Sequence, residues 1–311
     1  MEPRIVAAPH WAWWIVFYFY LGGIAAGAYF IGTMVDLFGR ERDRPIARLA
    51  YLIAAPLVAI CGILLVVDLY RPERFWHMLI QSNTGLPMFK YWSPMSVGAW
   101  ALMLFGIFSG LSFVGALAEE RRFGLGRFNR QAAYLHRGPV GFGFEILGTL
   151  VGFFIAAYTG TLLSATNQPV WSDSTWIAPL FLASAASTGI STLMLILILR
   201  RAAPESSIRR LELTDRWAMV LELLLLVIFF VSLGAMAPVL LGSVFGILLL
   251  VGVLLVGVLI PLGLSFRPLL GARSPIIASV LALIGGFILR YAVVFAGEQL
   301  PELDLLSFAG L

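Results

Sequence analysis

"ELLLLVIFFVSLGAMAPVLLGSVFGILLLVGVLLVGVLIPLGLSFR", Glu222–Arg267, carries no charge between its two ends. A helix rises about 1.5 Å per residue, so a single helix of this length would far exceed the ~30 Å hydrocarbon layer of a bilayer. Pro238 and Gly242 lie near its middle and mark the expected turn. The stretch therefore reads as two crossings, near 217–237 and 242–264. Six further apolar runs of spanning length lie near 14–36, 49–70, 94–117, 139–164, 176–199 and 274–297. The expected fold class is all-α, a polytopic membrane protein with eight spans.

Composition agrees with this reading. Of the 311 residues 60% are hydrophobic and only 12% are charged, far from the balance of a water-soluble domain. The opening "PHWAWW" runs into a full-length span with no short apolar region and small-residue cleavage site, so it reads as an aromatic anchor, not a cleavable signal. Arginines follow the odd-numbered spans, as Arg40, Arg42, Arg44 and Arg48, then Arg121 to Arg137, then Arg200 to Arg216, then Arg267 and Arg273. The other side holds only Arg4, Arg71, Arg74 and Lys90. The positive-inside rule then puts both termini outside.

"WIVFYFYLGGIAAG" at Trp14 and "WIAPLFLASAASTG" at Trp176 share Trp-Ile, a Phe five positions after the Trp and a Gly thirteen after it. Each opens a set of four spans of the same orientation. A duplicated four-helix bundle is expected, with residues 1–165 forming the first and 166–311 the second. The Arg-rich connections 118–138 and 200–216 read as orientation signals. The segment 71–93 mixes turn formers with aromatics and reads as a docking surface.

Ionisable groups within spans are costly and become site candidates. "VVDLYRPERFWH", Val66–His77, places Asp68 in the last turn of the second span, because Pro72 disfavours a helical Arg71. A carboxylate there opposes the helix dipole, so it is either capped by Arg71 or serves a ligand or proton site. Glu145, Glu222 and Asp36 fall on the cytoplasmic half. Arg290 falls on the outer half, where Glu298 or Asp68 is the expected partner. The single Cys61 reads as a small core hydrophobe and excludes an iron–sulfur cluster held by this chain. The histidines, His10, His77 and His136, lie at or beyond span ends, so no internal haem is expected. No phosphate-binding loop, nucleophile elbow or zinc spacing is present, and "GLGRFNR" at Gly124 lacks the strand that such loops follow. No nucleic-acid partner is expected.

"DLYRPERFWHML", "SPMSVGAW", "YTGTLLSATNQPVW" and a last span opened by "SP" and containing "GGFILRYAVVFAGEQ" together resemble the NrfD/PsrC family. That family comprises membrane subunits of polysulfide, nitrite and related molybdopterin or cytochrome oxidoreductases and of alternative complex III. The resemblance extends over nearly all eight spans and implies two four-helix bundles in the inner (cytoplasmic) membrane. It implies quinone or quinol chemistry near the outer face of the first bundle, with menaquinone or ubiquinone as the bound substrate. Electrons would pass to or from a partner iron–sulfur subunit and through it a catalytic molybdopterin or cytochrome subunit, and proton translocation is a further expectation. Matched by motif, Asp68 takes the family's carboxylate position and Tyr158 its quinone-facing tyrosine. Where the polysulfide reductase subunit has a quinone-binding His in its first span, this chain has Tyr18, a poorer proton acceptor. Arg71 and His77 join Asp68 and Tyr158 as quinone-binding candidates. Asp36, Glu145, Glu222 and Arg290 form the candidate proton pathway. Two other readings fit eight spans, a secondary transporter with buried carboxylates and a passive membrane anchor; the anchor needs no buried charge.

Overall fold

The computed structural model describes residues 11, 13–121, 124, 138–267 and 270–308, with the side chains of 272 and 301–308 left aside. His10, His136 and most of the connection 118–138 lie outside the described residues. Among the described residues eight long helices follow one another: α1 (Trp13–Phe38), α2 (Arg44–Asp68), α3 (Pro94–Glu119), α4 (Gly138–Ser164), α5 (Ile177–Arg200), α6 (Glu205–Ser232), α7 (Val244–Phe266) and α8 (Ser274–Phe308). Among the described residues there is no sheet, and one isolated β-bridge joins Ile80 to Pro87. Seven of these helices are long and apolar enough to cross a membrane. The exception is α6, which has 28 residues but carries Asp215, Arg216 and Glu222 within its more apolar part.

The expected turn inside the long uncharged stretch is broader than a turn at Pro238 and Gly242. Helix α6 stops at Ser232, and Gly234 adopts a left-handed φ of 53° just past its end, a conformation that glycine takes without strain. A short helix, Met236–Leu241, follows. Its Pro238 sits in the first turn, where the missing N–H has no helical partner to lose. Ser243 then caps α7 by accepting from the Gly246 N–H at 3.3 Å. The polypeptide needs a glycine to stop one helix and a serine to start the next.

The most apolar stretch of α1 is 83% buried, against 28% for α2, so α1 is the central helix and α2 belongs to the rim. It packs on α2, α4, α5 and α8. α3 contacts α2 and α4, and the other helices close against α5, α6 and α8. Around this assembly runs an exposed apolar surface that includes Leu147, Leu150, Leu224 and Val231. In water such a surface would be a large liability; in lipid it is the solvent-facing side.

The buried side chains form two apolar cores stacked along the helices. One contains Phe19, Trp171, Phe181, Phe229 and Val293 and lies at the end of the molecule that carries Asp68. The other contains Tyr29, Phe30, Tyr51, Phe105 and Leu193 and lies toward the end that carries Asp36. Both draw on α1 and α5. The positions matched in the sequence repeat meet in space: the Phe19 and Phe181 rings pack edge to face at 6.3 Å. Gly27 and Gly189 pass so closely that a Cβ on Gly27 would fall 1.9 Å from the Ala185 carbonyl oxygen, and one on Gly189 would fall 2.5 Å from the Ala28 N.

Candidate functional site

Helix α2 ends at Asp68, as the proline rule requires. Tyr70 then takes a left-handed φ of 54°, and Pro72–Met78 winds as a 3₁₀-helix that turns the polypeptide back over the helix ends. A small hairpin follows, in which the Gln81 N–H donates to the Leu86 carbonyl and the Met88 N–H to the Leu79 carbonyl. The Trp100 indole N–H holds it down by donating to the Met88 carbonyl at 3.0 Å. Segment 71–93 is therefore a folded roof that presents Phe75, Met78 and Leu79 downward.

Beneath this roof, between α1, α2, α3 and α4, lies a cleft of about 530 Å³. That is the size range of small-molecule sites. Its walls are Ile15 and Phe19 of α1, Val58 and Leu65 of α2, Met95 and Leu102 of α3, and Leu162 of α4. Three groups with polar ends interrupt this apolar lining, Tyr18, Asp68 and Tyr158, with Trp11 at the margin.

The three differ in what they can still bond. Tyr158 donates its hydroxyl proton to the Pro94 carbonyl at 2.8 Å, so its oxygen remains an acceptor toward the cleft. Its ring crosses the backbone of α3 at Gly98, where a Cβ would lie 2.1 Å from the phenolic oxygen. Phe154 stacks on it one turn away. Tyr18 is buried, its ring against Phe19, and its hydroxyl has no hydrogen-bond partner among the described residues. It is a free donor. Asp68 is half-buried and likewise makes no hydrogen bond or ion pair among the described residues. The cap by Arg71 is not formed, because the left-handed Tyr70 swings Arg71 out of the helical register and leaves it exposed. Arg71 and His77 lie on the roof segment and do not line the cleft; the His77 ring packs against Trp76. Cys61 is buried behind the wall, its Sγ 3.7 Å from the Tyr18 carbonyl, in the place of a small apolar filler.

The remaining candidates separate into two groups away from the cleft. Asp36 accepts from the Tyr51 hydroxyl at 2.8 Å and pairs with Arg44, which also reaches Glu119. Glu145 is buried in α4, about 20 Å of helical rise from Tyr158. Near it the Thr33 and Thr149 hydroxyls bond at 2.5 Å. Glu222 and Arg290 are buried between α5, α6 and α8. Arg290 does not pair with Glu298 or Asp68. Its guanidinium donates to the carbonyls of Phe19, Phe181 and Gly286 and to the Ser184 hydroxyl, at 2.7–3.4 Å. Gly23 and Gly286 leave the room it occupies. Glu298 instead accepts the Trp11 N–H at 2.5 Å, beside the stacked Trp11 and Trp171 rings.

Sequence reasoning did not reach Trp11, Gly98 or Asp215. The last is fully enclosed and lies seven residues before Glu222 on the same face of α6. Its position at the edge of an Arg-rich connection hid it. The seven-residue spacing was the available signal.

Comparison with known proteins places this geometry in a family. The model of the polysulphide reductase NrfD family matches residues 3–302. The sequence is 28% identical to Protein NrfD of Escherichia coli (strain K12), over 93% of its own length and 95% of that protein. It is also 28% identical to the C component of the polysulfide reductase of Wolinella succinogenes, over 93% and 94%. A shorter region matches the C component of the selenate reductase of Mesobacillus selenatarsenatis at 36%, over 32% of this protein and 21% of that one. The chain belongs to the NrfD family of membrane proteins.

Proposed function

We propose that the protein is the quinone-reactive membrane subunit of a respiratory oxidoreductase complex in the inner membrane. The observation that carries this is the apolar cleft with an acceptor oxygen on Tyr158 and, among the described residues, a Tyr18 hydroxyl and an Asp68 carboxyl without partners. A quinone ring needs an apolar slot, a donor for one carbonyl and a titratable group that exchanges protons as two electrons move. Tyr18 donates to a quinone carbonyl, Tyr158 accepts from a quinol hydroxyl, and Asp68 takes or gives the proton. Relatives named as parts of polysulfide and selenate reductases support a place in a reductase complex.

In this reading all eight helices cross, α6 among them, in two four-helix bundles over 1–165 and 166–311. Both termini and the Asp68 end face outward. The contacts between Phe19 and Phe181 and between Gly27 and Gly189 support a repeat related by an axis along the membrane normal. An iron–sulfur subunit docks on the roof segment, whose Tyr91 and Trp92 are exposed, and passes electrons to or from a molybdopterin or cytochrome subunit. Arg71 and His77, on the roof, act at the entrance and not on the ring.

The test is Asp68→Asn in the assembled complex. It keeps size and hydrogen bonding but removes proton exchange, and should lower quinone turnover about 10²–10⁴-fold with assembly intact. Parental turnover by an assembled variant would remove Asp68 from the site.

A further inference from the structure

Helices α5 and α6 run against each other with matched spacing. Ser184 and Ser191 are seven residues apart on α5, as are Asp215 and Glu222 on α6. Ser191 donates to one Asp215 carboxyl oxygen at 3.3 Å, and Ser187 lies beside the same carboxyl. Ser184 lies beside Glu222 and accepts from Arg290 at 3.0 Å. The result is a buried polar column about 10 Å long, two helical turns, whose carboxyls do not line the cleft. Asp215, Glu222 and Arg290 are 3%, 4% and 1% exposed. The second oxygen of Asp215 is buried without any hydrogen-bond partner among the described residues.

The charges in this column do not balance as written. One guanidinium is always charged, so with both carboxyls ionised the column would carry a net negative charge away from water. Holding one proton makes it neutral. Arg290 and Glu222 share the Ser184 hydroxyl, whereas one oxygen of Asp215 is buried with no hydrogen-bond partner among the described residues. An unpartnered buried oxygen costs less on a neutral carboxyl than on an ionised one, which assigns the proton to Asp215. The other charged or titratable neighbours are Glu212 near Asp215, which adds to the negative side, and Tyr20 near Arg290.

We propose that Asp215, Glu222 and Arg290 form a one-proton store, separate from the cleft, in which the proton rests on Asp215 and moves toward Glu222 through the serine hydroxyls. The transfer makes and breaks only O–H bonds: Asp215 loses the proton, each hydroxyl passes one on, and Glu222 gains it. Arg290 couples the store to the cleft by holding the carbonyl of Phe19, whose side chain lines the cleft wall. The use of the stored proton in quinone chemistry rests on the function proposed above. The store itself does not.

Infrared spectra of the purified protein in an ester-free detergent test it, read as the difference between H₂O and D₂O in the carboxylic C=O region. At neutral pH Asp215→Asn should delete one exchangeable band, and Glu222→Gln should leave that band in place. Arg290→Met should add a second band, because both carboxyls must then be neutral, whereas Arg290→Lys should add none. An unchanged spectrum in D215N, or loss of the band in E222Q, overturns the store. If Arg290→Met does not fold, the D215N and E222Q pair decides the matter alone. The readout needs no quinone, so failure of the Asp68 test leaves this result standing, and the reverse holds.

Discussion

The Tyr158 hydroxyl reaches Pro94 only because residue 98 has no side chain. Gly98→Ala would place a methyl group where the phenolic oxygen now lies and push the ring out of the cleft wall. The expected outcome is a fall in quinone turnover of about 10²-fold, the scale of a roughly 1 Å misplacement of a positioning group, with the complex still assembled. Tyr158→Phe keeps the ring in place but removes the hydroxyl, with its acceptor and its bond to the Pro94 carbonyl, and should cost less. Steady-state turnover of the two variants, compared at equal complex content, checks the order. Of the three polar groups that the cleft brings together, Asp68 stands out in the sequence as a carboxylate at the end of an apolar run, and Tyr18 and Tyr158 stand out only through the family resemblance. Gly98 was not, since a glycine in a membrane helix looks alike whether a neighbour's ring crosses it or lipid does. Arg71 and His77 were drawn into the site by their nearness in sequence to Asp68. One left-handed residue, Tyr70, separates them from it, and nothing in the composition of the segment announces that turn.

Element boundaries were the most legible feature, because hydrophobic length and basic flanks report directly on helices in lipid. The spans expected at 217–237 and 274–297 are the exceptions, for the first lies on a helix that runs from Glu205 to Ser232 and the helix of the second continues to Phe308. Pairing of the helices was less legible. Small residues line many faces of these helices, and only the fold separates those that touch from those that do not. Gly27 faces the α5 backbone, whereas Gly110 of α3 has nothing within 4 Å of its Cβ position. Gly27→Val should therefore destabilise the folded protein by about 1–3 kcal/mol, the usual cost of overpacking, and Gly110→Val should leave it nearly unchanged. Thermal denaturation of the two variants in detergent distinguishes them; equal melting would show that the α1–α5 crossing is slack.

Across the whole molecule the proposed topology sets one end against the other. With Cys61 replaced by Ala, a cysteine at Ser82 on the exposed roof should react with a membrane-impermeant maleimide in intact cells, and one at Ser206 at the start of α6 should react only after lysis. The reverse pattern would invert the protein. The close approach of Gly27 to Gly189 also bears on the transporter reading. A carrier that opens alternately to the two sides must let its halves tilt against each other about the bound solute. Here backbone meets backbone at mid-depth, with the Phe19–Phe181 contact two turns away and Arg290 tying α8 to α1. At this crossing there is no sliding layer of side chains, so a rocking motion of the halves would have to break a backbone contact, which speaks against an alternating carrier.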